Sequence, residues 1–118
     1  MWTSQSAHAT IINDCTTLIT NCTIHSGNGI DTITHDIAVG VYNVAFSAPQ
    51  FPSPPDCVVT PVVSGGPDFV FCYMLYTNNT SAGIACVTFQ TVHDSGTGGD
   101  DISGSTGADT AFSIICSH

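Results

Sequence analysis

The segment GVYNVAFSAPQFPSPPDCVVTPV, Gly40 to Val62, holds five of the chain's six prolines. Proline fixes φ and offers no N–H, so the middle of this segment cannot pair as a central strand. Its flanks read differently. Tyr42, Val44 and Phe46 alternate with Val41, Asn43 and Ala45 before it, and a second apolar run, Cys57–Val63, follows it. Period-two alternation marks half-buried strands. The segment therefore predicts two strands joined by a stiff, non-pairing link that also keeps a sheet edge from recruiting stray strands. A recognition motif of the PxxP kind is the other reading, and the flanks favour architecture.

The rest of the chain continues in the same style. No stretch carries a helical apolar stripe, and β-branched residues punctuated by Gly, Asn, Asp and Pro dominate. Strands are expected near Ala9–Asn13, Thr16–Ile24, Thr32–Thr34, Ile37–Phe46, Cys57–Val63, Phe69–Tyr76, Gly83–Val92 and Thr110–Cys116. Short strands with frequent turn signals predict an all-β fold, an antiparallel, jelly-roll-like β-sandwich of about eight strands. SGGPD (Ser64–Asp68) and TNNTSAG (Thr77–Gly83) read as hairpin loops. HDSGTGGDDISGSTGAD (His93–Asp109) is polar, low in complexity and expected to be a long loop. Residues 1–36, richer in Thr and poorer in aromatics, are expected as an N-terminal strand or arm that can serve a neighbouring subunit. Residues 37–118 form the sandwich, within what is one compact domain.

Composition excludes several functions. Among 118 residues there is no Lys and no Arg, all nine acidic residues are Asp, and the formal charge is −9. Nucleic-acid binding needs cations to displace phosphate counterions, and so does docking to anionic lipid. Lysine Schiff-base chemistry and arginine clamps are likewise out of reach. Hydrophobic residues are 42% and charged residues 8%, which argues for a packed core over a disordered chain. No apolar run is long enough to span a membrane as a helix. MWTSQSAHATIINDC has neither the basic n-region nor the apolar h-region of a signal peptide. With Met1 at its head, the chain is expected to assemble inside a host and leave in a virion.

Six cysteines, Cys15, Cys22, Cys57, Cys72, Cys86 and Cys116, show neither a CxxC pair nor zinc spacing. Four lie in apolar strand-like runs, so buried thiols acting as small hydrophobes are the first expectation. Disulfides are the alternative, with Cys15 and Cys22 the foremost pair. Three stretches, SGNGIDTIT, SGTGGDDIS and GSTGADTAF, approximate a calcium-binding nonapeptide. Asp94, Asp100, Asp101 and Asp109 are thus the candidate ligands for a hard cation such as calcium, against ordinary Gly/Asp loop chemistry. No other cofactor is expected.

His93-Asp94 lacks a nucleophile elbow, so no catalytic triad is drawn and the chain is not expected to be an enzyme. His25 and His35 are candidate metal or titrating groups, against solvated or core-satisfied histidines. Asn21, Asn78 and Asn79 begin glycosylation sequons. Trp2 is a candidate anchor into a neighbouring subunit.

Several of these marks occur in a recognisable order. Gly40, Tyr42, Val44, Phe46, Pro54, Pro55, Val58, Val59, Thr60 and Pro61 are followed by Ser81, Gly83, Asp109, Phe112 and Ile115. This pattern, over about residues 37–118, resembles the C-terminal β-sandwich module of phage tail fibres, itself similar to H-type lectins. The resemblance implies a homotrimer displayed on a virion surface, as a fibre, tail-tip or capsid-decoration subunit that contacts other virion proteins and a host surface glycan. The chain departs from lectin relatives in having no Arg and no late Trp. The leading expectation is a non-enzymatic structural and adhesion protein. A secreted extracellular filament joined by an N-terminal strand, and a calcium-assisted carbohydrate-binding module, are the alternatives.

Overall fold

The structure, a computed structural model, describes residues 6–12, 14–15, 20–47, 51–62, 69–93 and 100–118. It is an antiparallel β-sandwich with no helix among those residues. The strands are β1 (Ser6–Ile11), β2 (Ile24–Asn28), β3 (Ile30–His35), β4 (Val41–Phe46), β5 (Asp56–Val62), β6 (Phe69–Thr77), β7 (Ser81–His93), β8 (Asp100–Gly107) and β9 (Ala111–Ser117). One sheet runs β2-β1-β9-β5 and the other β3-β4-β7-β6, with β8 also paired to β7.

Alternation builds the core as expected. Tyr42, Val44 and Phe46 of β4 point inward, as do Phe112, Ile114 and Cys116 of β9, and all are buried. Tyr42 sits at the centre, its ring edge-on to Phe112 at 4.9 Å and to His35 at 5.1 Å. The proline link carries the chain from β4 in one sheet to β5 in the other. Phe51 within it is buried and packs edge-on against Phe46 at 5.0 Å, which pins the crossing. Pro61 lies inside β5, the edge strand of its sheet, where a missing N–H leaves no central ladder bond unmade.

Residues 1–36 supply β1, β2 and β3, and all three pair within this chain. β1 is an interior strand between β2 and β9, with Ala7, Ala9 and Ile11 facing the core.

Three expectations are corrected. Of the strand expected at Thr16–Ile24, residues 16–19 lie outside the described residues, and residues 20–23 hold only a bridge from Asn21 to Thr34; β2 begins at Ile24, after the Cys15–Cys22 disulfide and the 3.2 Å bond from Ile12 N–H to Thr23 O. The strand expected from Ile37 begins at Val41. Asp36 to Gly40 form a tight turn, with Asp36 N–H donating to Val41 O at 2.8 Å and Gly40 at φ +79°.

The third correction concerns the low-complexity loop, whose second half is β8. Polarity hid it, since a strand's backbone pairing needs no apolar side chains. β7 has thirteen residues, more than its first neighbours can pair. β6 covers one side as far as Phe89, while β4 covers the other only to Ala85, and β8 takes over that side from Val87. The change of neighbour falls at Cys86, whose N–H donates to Gly40 O at 2.7 Å and whose carbonyl accepts from Ala108 N–H at 3.0 Å.

Candidate functional site

Two features stand out: a buried polar node between the sheets and an exposed apolar surface. The node is built where the Asp36–Gly40 turn meets the segment entering β9. Tight turning there needs glycine. A Cβ on Gly40 would stand 2.3 Å from Cys86 O, and one on Gly107 would stand 2.2 Å from Val39 O. These close backbone approaches bring Asp109 against His35, which lies 74 residues earlier.

His35 is fully buried. Its Nδ1 is 2.6 Å from Asp36 O, and a carbonyl can only accept, so Nδ1 carries a proton. Its Nε2 is 2.6 Å from Asp109 Oδ1, which also accepts the Gly40 N–H at 2.9 Å. One further proton is held between Nε2 and Oδ1. Beside this pair the Tyr42 hydroxyl accepts Thr110 N–H at 3.2 Å and faces Thr110 O at 3.5 Å. Burial pushes the Tyr42 phenol up to about 12 from 10.0, with the nearby Asp109 charge acting in the same direction. The node thus satisfies buried polar groups across the sandwich. With His35 sealed from solvent, it works as a clasp between strands and not as a surface on which a ligand could land.

The cysteines depart from the thiol expectation: all six are paired. Cys15–Cys22 forms as the alternative had it. Cys57 and Cys116 stand opposite across β5 and β9, and Cys72 and Cys86 across β6 and β7, each pair with Cα atoms 4.0 Å apart. Register, which the sequence does not display, is what opposes them. Next to the first bridge, Asp14 Oδ1 accepts Thr23 N–H at 2.9 Å and Oδ2 accepts the Thr23 hydroxyl. These bonds, the hydroxyl's foremost, hold the exposed Asp14 carboxyl below its usual value.

The candidate cation ligands are not brought together as one set. Asp100 and Asp101 open β8, whereas Asp109 follows its far end. At about 3.3 Å per residue, β8 alone separates those ends by roughly 23 Å. Asp109 is engaged with His35 and Gly40. Asp94 and Trp2 lie outside the described residues. Among the described residues, no group of three or more His, Cys, Asp or Glu side chains is placed to hold a metal ion.

Of the two candidate histidines, His25 is exposed on β2, and His35 is the core-satisfied one. Asn78 acts as a turn residue: its Oδ1 accepts Ser81 N–H at 2.7 Å and Thr80 N–H at 2.9 Å. Asn21 accepts the Thr34 hydroxyl at 2.9 Å, and Asn79 is exposed in the β6–β7 turn.

Aromatics at strand spacing read most simply as core, and on β6 the structure departs from that reading. On β6 the odd positions point outward, and Phe71 and Tyr73 are 53% and 41% exposed, their rings stacked at 5.8 Å and 26°. After a bulge between Met74 and Tyr76, the Tyr76 ring lies over Gly83, and its hydroxyl donates to Asn43 Oδ1 at 3.1 Å. The strict alternation of β6 was the available signal, because an inward row of Cys72 and Met74 leaves the aromatic row outside.

Fold and site define an all-β, disulfide-linked sandwich with a clasped interior and an apolar exterior face. Compared with protein-family models, curated proteins and solved structures, the chain finds no match in any of the three.

Proposed function

We propose that this chain is a non-enzymatic structural and adhesion subunit displayed on the outside of a particle, a virion surface in first place. The observation that carries the reading is the closure of all six cysteines into disulfides in a chain without one Lys or Arg. Disulfides persist outside reducing compartments and stabilise small domains with modest cores. A cation-free surface also offers trypsin-like proteases no cleavage site. The order of Tyr42–Phe46, the proline link and the β9 residues, similar to that of fibre-type sandwich modules, supports the virion over other exteriors. The buried clasp adds to this, since it places the fully buried His35 and its partner Asp109 in the service of packing.

Fractionating the native source tests the proposal. The chain is expected in purified particles at stoichiometric copy number, oxidised, and labelled by antibody without permeabilisation. Recovery only from a soluble intracellular fraction with free thiols overturns it.

A further inference from the structure

From the placement of exposed apolar residues we infer that the outer surface of β9, β5 and β6 is the interface through which the chain binds a second copy of itself. Most of the large hydrophobic side chains exposed among the described residues lie on these strands: Ile115 on β9, Val58 and Val62 on β5, and Phe71, Tyr73 and Leu75 on β6. Val58 is opposite Ile115 in the β5–β9 ladder, and β5, the edge strand of its sheet, lies close beside β6, the edge strand of the other.

Area and charge select the occupant. Each of the six is about half exposed, on the order of 100 Å² apiece, so together they present roughly 600 Å². That lies at the upper end of the largest patch on a typical monomer, about 300–600 Å². It also approaches the ~800 Å² that each partner contributes to a standard stable interface. With a charge of −9 and no Lys or Arg, two copies repel through most of their surfaces. β6 and β9 carry no acidic residue, and β5 carries only Asp56, at its first position. A cationic partner would be drawn to the carboxylates elsewhere. A neutral apolar surface matches its own copy, as an isologous contact requires.

The inference deepens the proposed function and rests on it only in taking the chain to be part of an assembly. Sedimentation equilibrium on the oxidised full chain, up to about 100 µM, tests it. The expected mass is that of two chains, twice 12.2 kDa. Phe71→Asp and Val58→Asp, both on exposed positions, are each expected to raise the dissociation constant by roughly 30-fold or more. Ile37→Asp, exposed in the Asp36–Gly40 turn, is expected to leave it unchanged. Circular dichroism and thermal melts establish that each variant is folded.

A wild-type chain that stays monomeric, or an oligomer indifferent to both substitutions, overturns the interface. So does a monomer that loses affinity for neutral glycans in Phe71→Asp, which would assign the surface to sugar. A monomer found on particles overturns the interface alone, whereas an oligomer found reduced inside cells overturns the proposed function alone.

Discussion

His35 Nε2 lies 2.6 Å from Asp109 Oδ1, so the end of β3 is held to the segment that leads into β9 in the opposite sheet. Removing one member of this pair takes a short contact from the other in a largely desolvated setting, which costs more than the pair contributes when intact. His35→Ala is expected to destabilise the fold by about 3 kcal/mol, and Asp109→Asn by less, because an amide oxygen still accepts the Gly40 N–H. Urea midpoints would measure both. Equal losses would contradict the role given to the His35 contact.

Gly40 has a more local requirement. Its φ of +79° disfavours any side chain, and a Cβ would stand 2.3 Å from Cys86 O and 2.7 Å from Ala108 N, both backbone atoms. Gly40→Ala is expected to cost at least ~2 kcal/mol, from left-handed strain plus displacement of the β4–β8 junction. A thermal melt within 2 °C or so of wild type would show that the junction yields cheaply.

The three disulfides differ in the length of chain they close. Cys57–Cys116 spans 59 residues, Cys72–Cys86 spans 14 and Cys15–Cys22 spans 7. In the chain-entropy picture they contribute roughly 4, 3 and 2 kcal/mol respectively. Paired Cys→Ser variants are expected to lose stability in that order under denaturant. A Cys15/Cys22 variant weaker than the Cys57/Cys116 variant would set strain or denatured-state structure above loop length.

Alkaline pH probes the clasp through Tyr42. Its phenol titrates near 10.0 in the unfolded chain and near 12 when folded. Below pH ~10 both states hold the proton, and stability does not depend on this group. Between ~10 and ~12 the unfolded state has released it while the folded state retains it. Stability therefore falls as pH rises, by at most about 3 kcal/mol at ~1.4 kcal/mol per unit. Stability measured from pH 8 to 12 is expected to show this descent in the wild type. Tyr42→Phe should be weaker at pH 8 yet flatter above 10, and equal slopes would assign the descent to other groups.

Much of the sandwich is legible in the sequence because period-two burial writes itself into residue order. Tyr42, Val44 and Phe46, the run from Cys57, and Phe112, Ile114 and Cys116 all became core-forming or paired strands near the expected places. β8 was not legible, since its Asp, Ser, Gly and Thr residues signal a loop and only the unpaired half of β7 makes them a strand. The candidate site was less legible still. His35 and Asp109 are 74 residues apart, and neither belongs to a motif that names the other.

What the sequence determined by itself is local: strand alternation, the proline link that cannot pair, and a charge of −9 without one Lys or Arg. What the tertiary structure decided is everything that depends on register and on which face turns outward. Cys57 meets Cys116 and Cys72 meets Cys86 only because two ladders align them. Phe71 and Tyr73 stand in solvent only because Cys72 and Met74 took the inward row of β6. The physical reason is common to both: a pattern along the chain fixes that faces alternate, while the packed partner fixes which face is buried.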